Sequence, residues 1–455
     1  MASLDTPLRR FLGSLFWLVL YLAVTLAPLS VAFIYRDHPR REFWTEFSVA
    51  LGFVGLSMLS LQFLITARFR GVAAPYGIDI LLRFHRQISL LVVGLVVAHP
   101  VILFVTRPET VRLLNVVEAP WRARAAVAAL VAMLVLVSLS FWRRRFGLGY
   151  ETWRLTHGLL AVGALVLALI HVQLVGWYID LPWKRVLWVL LIGTVVLVLI
   201  YVRLVRPHLL KRRPYRVSEV RPERGSAHTL VFEPVNHRAM RFSPGQFAWL
   251  TLDRTPLLLE DHPFSFSSSA YQRDKVAMTI KELGDFTSSV GDIPVGAHAY
   301  LEGPHGAFTI DRYEGPGYVF VAGGVGITPI MSMLRSLDDR RDGREHLLLY
   351  ASATYDDLTF REDIDDIATR LDLEVVYVLG EPHEGWQGPS GRISYELLLE
   401  YVEGERADHR YFICGPTPMM DDIEQKLLRA GVPPERIASR SEEHTSELQS
   451  PYVSS

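Results

Sequence analysis

RFHRQISLLVVGLVVAHP, residues 83–100, and RLTHGLLAVGALVLALIHVQ, residues 154–173, decide how this chain folds. Each is an apolar run carrying two histidines fourteen positions apart: His85 and His99 in the first, His157 and His171 in the second. Fourteen residues at 100° each make almost four turns, so both histidines of a run face one way, about 21 Å apart along a helix. A lone histidine in such a run is as readily a buried polar group satisfied by neighbouring helices; two pairs with one spacing are ligand-like. Neutral imidazole is a common metal ligand. If the two helices face each other, His85 with His157 and His99 with His171 can each clamp one heme iron, at two depths. Ligation by two histidines leaves the iron no vacant position, which suits electron transfer. The chain has one cysteine, Cys414, so no CxxCH segment tethers a heme and no internal disulfide is possible.

Working outward, residues 11–34, 43–66, 80–105, 125–141, 150–175 and 183–205 are each long and apolar enough to cross a hydrocarbon layer about 30 Å thick. The first is too long, and lacks the small-residue site, to be a cleaved signal. Six crossings within a domain of residues 1–210 bring both its ends to one side. Arg9, Arg10, Arg68, Arg70, Arg143, Arg144, Arg145, Lys211, Arg212 and Arg213 fall there, which makes that side the cytoplasm and the membrane the plasma (inner) membrane. Arg36, Arg40, Arg41, Arg107, Arg112 and Arg122 in the other loops weaken the asymmetry. Arg83 and Arg86 flank His85, where they can neutralise heme propionates or simply anchor the helix. His38, between arginines in a loop, reads as solvated. The formal net charge of −1 averages two unlike halves, and the arginine clusters flank apolar runs, so nucleic acid is not an expected partner.

From Pro214 the pattern alternates, with strands expected at 215–220, 228–233, 247–252 and 276–281. These suggest a small antiparallel barrel over 214–312. From 313 to 439 a parallel α/β domain is expected. Its strands are placed at 318–322, 346–351, 374–378 and 411–414, with a helix beginning near Pro329. In the barrel, His262, Pro263, Phe264, Ser265, Ser267 and Ser268 follow a strand and combine aromatic surface with short hydroxyls, which is what a flavin ring and its reactive nitrogen need. Lys281, Gly284, Asp285, Phe286 and Thr287, and then Gly303, add turns where backbone amides can approach a pyrophosphate. Gly323, Gly324 and Gly326 join a buried strand to the helix opened by Ile327, Thr328 and Pro329, so a dinucleotide phosphate can reach the helix N-terminus. Cys414, Gly415 and Pro416 end a later strand at the same sheet edge, where ligands of such folds bind. A lone cysteine is commonly an inert buried thiol; beside these glycines, Cys414 is expected near the nicotinamide. Ser352 and Arg392 complete the candidate nucleotide contacts, and Cys414 and Ser265 are the candidate catalytic residues.

Over roughly residues 11–439 the chain resembles the NADPH oxidase and ferric reductase superfamily. His85, His99, His157 and His171 match its paired heme ligands on the third and fifth helices. His262–Ser265 matches its HPF[ST] flavin motif, 323–329 its glycine-rich nicotinamide loop, and 414–416 its CGP motif. The resemblance implies a multi-domain membrane protein: a six-helix bundle with two b-type hemes, an antiparallel β-barrel binding FAD, and a parallel α/β domain binding NADPH or NADH. It implies electron flow from cytosolic NAD(P)H through FAD and the hemes to an outside acceptor.

Symmetric histidine spacings and a compact layout favour dioxygen as that acceptor, giving superoxide. A ferric chelate, drawn by the loop arginines, is the alternative. A non-enzymatic heme sensor or electron-carrier subunit is a third reading, against which the flavin and nicotinamide motifs stand. Besides the acceptor and the bilayer, no obligatory protein partner is expected, and with no sizeable soluble extension before the first crossing, activity is expected to be constitutive. The stretch after the second nucleotide-domain strand, 351–357, has no arginine until Arg361, so use of both nucleotides is expected where an NADPH enzyme would place a base for the 2′-phosphate. Residues 440–455 lack core pattern and resemble a translated sequencing adapter; they are expected to lie outside the fold, with the family's ring-covering terminal aromatic missing.

Overall fold

The computed structural model describes residues 7–34, 38–69, 78–143, 145–257, 260–402 and 404–441. Arg36, Arg70, Arg144 and residues 442–455 lie outside the described residues, as do the side chains of Arg9, Arg10 and Asp285. The chain forms two compact units, Met1–Pro207 and His208–Ser455.

The first unit contains α1 (Pro7–Phe33), α2 (Phe43–Thr66), α3 (Ile78–Thr106), α4 (Trp121–Phe141), α5 (Tyr150–Val175) and α6 (Pro182–Ile200). All six are long and apolar enough to cross a membrane. Helix α4 starts four residues before the expected 125, because Arg124 does not oppose helix formation there. Its Nε donates to the Ala119 carbonyl and its Nη2 to that of Val117, both at 2.7 Å, tying the first turn to the preceding loop. Helix α6 passes through one π-type turn, Tyr201–Val205, into α7 (Arg206–Lys211). The burial pattern is inverted relative to a water-soluble bundle. Val105, Trp121 and Leu197 are largely exposed, whereas Ser48, Ser57, Ser60 and Gln62 are buried on α2. Ser57 and Ser60 return their hydroxyl protons to the carbonyls of Phe53 and Leu56, so these two hydroxyls are satisfied within their own helix. This is a multi-pass membrane domain.

In the second unit a six-stranded antiparallel sheet has the order β4-β3-β6-β1-β2-β5. Its strands are β1 (Tyr215–Glu223), β2 (Ala227–Pro234), β3 (Phe247–Leu252), β4 (His262–Ser265), β5 (Val276–Lys281) and β6 (His298–His305). A bridge between Phe266 and Met278 curls the β4 edge onto β5, and Val217, Leu230, Phe232, Leu250 and Met278 fill the interior. Two parts of this sheet differ from the expected reading. The flavin-motif residues are themselves strand β4, and Gly303 lies within β6 instead of in a phosphate-facing turn. A Cβ at Gly303 would sit 2.8 Å from that of Ala248, so its glycine serves the close pairing of β6 with β3.

The parallel sheet follows, in the order β11-β10-β7-β8-β9. It comprises β7 (Tyr318–Gly323), β8 (His346–Ser352), β9 (Leu373–Leu379), β10 (Arg410–Gly415) and β11 (Ile437–Ser441). Helices α9 (Ile327–Arg340), α10 (Arg361–Ala368), α11 (Tyr395–Val402) and α12 (Thr417–Arg429) accompany it, and α8 (Asp285–Ser288) is a single turn in the barrel domain. The expected end of the fold at 439 is corrected by β11, which continues through Arg440 and Ser441 in parallel register with Cys414 and Gly415. Arg440 is buried, donates to the Gly245 carbonyl at 3.2 Å and lies 4.6 Å over the Phe247 ring. A charged residue with no apolar periodicity around it gave no sequence sign of that burial.

His346 opens β8 fully buried, accepts at Nδ1 from the Tyr318 amide (3.2 Å), and stacks on the Tyr318 ring. Desolvation holds its pKa down to about 4, against 6.5 for a free histidine. The unfolded chain therefore takes up this proton first as pH falls. Stability from neutral His346 is full above pH 6.5 and lost on the way to pH 4, by about 3 kcal/mol at most. Asp342, held to about 2 chiefly by its hydrogen bond from Arg344, acts only below its ordinary value near 3.8. Thermal unfolding of the dehydrogenase unit within the full chain should drop between pH 6.5 and 4, and His346→Asn should flatten that drop; an equal slope in both proteins would contradict the assignment.

Candidate functional site

The close helix packings of the membrane unit are α2 with α3 and α4 with α5. The His85 and His157 rings, from α3 and α5, have centroids 6.4 Å apart. Two imidazoles gripping one metal ion from opposite sides, each through a nitrogen about 2 Å away, have ring centres roughly 6 Å apart. All four histidines have Nδ1 engaged. His85 Nδ1 meets Gln62 Oε1 at 2.6 Å, and His171 Nδ1 donates to the Arg122 carbonyl at 2.8 Å. Ser140 gives its hydroxyl proton to the Leu136 carbonyl, so toward His157 Nδ1, 3.1 Å away, it can only accept. Ser48 likewise spends its proton on the His99 carbonyl (2.8 Å), and His99 Nδ1–H points at Ser48 Oγ and Ser48 O, both 2.9 Å away. Each Nδ1 thus carries the hydrogen and each Nε2 keeps a lone pair for a metal, the arrangement that orients ligating histidines.

Among the described residues no group of three or more His, Cys, Asp or Glu side chains could hold a bare ion. Two imidazoles on opposite sides suit an iron whose other ligands come from a macrocycle. Sequence reasoning missed the supporting residues Ser48, Gln62, Ser140 and the Arg122 carbonyl. One signal was present: Ser48 and Gln62 are also fourteen apart.

In the barrel, β4 pairs with β3 so that Ser265 lies opposite Phe247 and His262 opposite Leu250. The Phe286 ring stacks on His262 (centroids 4.0 Å apart) and lies nearly parallel to Phe264 at 6.0 Å, forming an aromatic ledge. Ser265 Oγ is buried without a hydrogen-bond partner among the described residues. An orphaned hydroxyl beside such a ledge fits a flavin, whose ring supplies the missing polar partner. Pro263 sits between them in β4, paired with Trp249.

Thr287 is engaged locally, accepting from the amides of Leu283 and Gly284 at 2.8 Å, and Lys281 ends β5. Ser267 and Ser268 are also spoken for. Ser267 Oγ accepts from Thr279 and its carbonyl from Arg335, while the Ser268 carbonyl accepts from Ser332 and its hydroxyl from the Ala277 amide. They pin the barrel to α9 instead of presenting hydroxyls to a ligand. Arg335, whose pKa is pushed down by desolvation, completes this seam through Asp363 at 2.7 Å.

The glycines of the nucleotide loop divide their work. A Cβ at Gly326 would collide with the Cys414 carbonyl group, 2.5 Å from its carbon, and one at Gly323 would lie 2.5 Å from Met419 Sδ. These two, with Gly415 against Gly323, let the β7 and β10 turns touch. Only Gly324, at φ +54°, has open space around its missing side chain. Ile327 and Pro329 are buried in the first turn of α9, and Thr328 Oγ1 there is buried without a partner among the described residues. Ser352 ends β8 at the same edge, and Pro416 caps α12. Arg392 is exposed in the loop after β9. Cys414 is corrected: it shows no surface and packs in the cluster with Ala322, Ile327 and Phe412, because strand alternation turns it with Phe412 toward α9.

Three family descriptions match the chain in order. Residues 51–168 match "Ferric reductase like transmembrane component", 230–304 "FAD-binding domain" and 320–425 "Oxidoreductase NAD-binding domain". NADH-cytochrome b5 reductase 1 of Cryptococcus neoformans var. neoformans serotype D is 29% identical over 199 residues, 42% of this chain and 65% of that protein. NADH-cytochrome b5 reductase 1 of Arabidopsis thaliana is 31% identical over 147 residues, 32% of this chain and 52% of that protein. The chain thus spans less than two thirds of the length of either relative. The flavohem-like FAD/NAD binding domain of nitric oxide dioxygenase from Vibrio cholerae aligns with 50% of this chain and 98% of its own, at 21% identity and a TM-score of 0.45.

The matches define a ferric reductase-like membrane domain followed by an FAD-binding domain and an oxidoreductase NAD-binding domain. This domain order is that of the NADPH oxidase and ferric reductase superfamily.

Proposed function

We propose that this chain is a transmembrane NAD(P)H oxidase of the plasma (inner) membrane, with its dehydrogenase unit cytoplasmic, that delivers electrons to dioxygen outside and yields superoxide. The observation that carries the heme part is the set of four histidines with every Nδ1–H anchored and every Nε2 left for iron. When bound, FAD would supply hydride acceptance with one-electron release, and the two hemes single-electron carriage. His85 and His157 hold the inner iron, and His99 and His171 the outer. The Phe286 and His262 ledge walls the flavin, and the Ser265 hydroxyl addresses its reactive edge. Gly324 and the Thr328 hydroxyl receive the nucleotide at the start of α9. Cys414, being enclosed, supports that turn from within.

For the nucleotide, Arg361 is stacked on Tyr355 at 4.4 Å and paired with Asp365, so it is engaged away from a 2′-phosphate. This and the NADH reductases among the relatives support use of NADH as well as NADPH.

For the acceptor, the loop between α3 and α4 exposes Val111, Leu114, Val116 and Val117, while Arg124 turns back onto its carbonyls. Arg41 lies 4.0 Å over the Trp177 ring. The apolar exposure of this loop, with Arg41 and Arg124 engaged, supports a small neutral acceptor, while Arg40, Arg112 and Arg122 stay exposed. Purified protein given NADH should reduce cytochrome c in a superoxide dismutase-sensitive manner in air, at a rate exceeding ferric-chelate reduction under nitrogen. The reverse order of rates would make it a ferric reductase.

A further inference from the structure

Helix α2 carries no iron ligand, yet two of its buried polar side chains repeat the ligand spacing. Its antiparallel packing on α3 sets Gln62 against His85 and Ser48 against His99. Gly52 and Gly55 between them permit the approach: a Cβ at Gly55 would sit 2.8 Å from Val96 Cγ2, and one at Gly52 3.4 Å from the His99 ring.

The two contacts are not equivalent. His99 Nδ1–H is split between the Ser48 hydroxyl and carbonyl oxygens, both at 2.9 Å. His85 Nδ1–H goes to one acceptor, Gln62 Oε1, at 2.6 Å, against 3.1 Å for Ser140 on His157. The Gln62 amide nitrogen is buried with no partner among the described residues, a cost that an apolar residue of the same length would not carry. Its oxygen is the part with work to do. An acceptor on Nδ1–H makes the opposite nitrogen of a ligating histidine more basic, which favours ferric over ferrous iron.

We propose that Gln62 is a positioning residue that orients His85 and lowers the reduction potential of the heme held by His85 and His157. This rests on the heme reading above.

The test is a spectroelectrochemical titration of the purified full chain in detergent, with heme counted by the pyridine hemochromogen assay, for wild type, Gln62→Glu and Gln62→Met. Glutamate keeps the shape and strengthens the acceptor; methionine keeps the volume and removes it. The expected result is two hemes per chain, one midpoint moving down in Gln62→Glu and up in Gln62→Met. Each shift should change the ferric-to-ferrous ratio at least tenfold, about 59 mV for one electron, with the other midpoint unmoved. Unmoved midpoints, a shift shared by both hemes, or shifts of the opposite sign overturn the proposal while leaving two hemes and the heme reading intact. A wild type without heme overturns both. If Gln62→Met fails to hold heme, the sign of the Gln62→Glu shift decides alone.

Discussion

Replacing His99 or His171 with alanine is expected to leave one heme per chain and to cut electron delivery to the outer acceptor by at least about 100-fold, since loss of a ligand exceeds the loss from its supporting bond. The two levels have separate hydrogen-bond partners. His85 and His157 are held by Gln62 and Ser140, whereas His99 and His171 are held by Ser48 and the Arg122 carbonyl, with no partner shared. The remaining heme should therefore stay low-spin and reducible by NADH in anaerobic spectra. Superoxide formation in air is the readout of the missing step. Full output from either variant would remove the two-level scheme, and loss of both hemes would show that the levels are coupled through folding.

Gly326→Ala should be the most damaging alanine substitution among the glycines of the nucleotide loop. Its φ of −59° suits any residue, so backbone strain is not the issue. The added methyl would meet the Cys414 carbonyl group and the Gly415 amide nitrogen, the latter at 2.8 Å, and backbone cannot swing aside as a side chain can. The β7 and β10 turns must separate. Overpacking of this kind costs about 1–3 kcal/mol of stability, and a displacement of 1 Å or so at the nucleotide turn lowers kcat/KM for NADH about 100-fold. Gly324→Ala makes the contrast: its Cβ meets nothing within 4 Å but stands at φ +54°. It should cost about 1–2 kcal/mol of stability through left-handed strain, with a smaller rise in KM. Stopped-flow flavin reduction separates the two, and equal effects from both would contradict the division of labour among these glycines.

Much of this was legible in the chain. The six crossings declare themselves because a spanning helix needs about 20 apolar residues in sequence, a local property. That both histidines of each run face one way was equally legible, since the fourteen-residue spacing is helical arithmetic and holds wherever the helix lies. Strands β1, β2, β3 and β5 followed from alternation. Strand β6 did not, because Gly303 and Pro304 read as a turn until β3 lay beside them. Arg440 and Ser441 read as tail until β10 offered a parallel edge.

By itself, then, the sequence determined the membrane unit, the matched spacing of the four membrane histidines, and the order of flavin and nucleotide segments. All of these are set by composition or by spacing within one element. Only the tertiary structure decided what each supporting group does. Arg122 serves His171 through a backbone carbonyl, which every residue possesses, so no residue type could announce it. Gln62 and Ser48 matter because α2 runs antiparallel to α3, and Cys414 is enclosed because strand alternation turns it toward α9. A contact between elements depends on distance in space, and the spacing along one chain carries that only where two elements share a period.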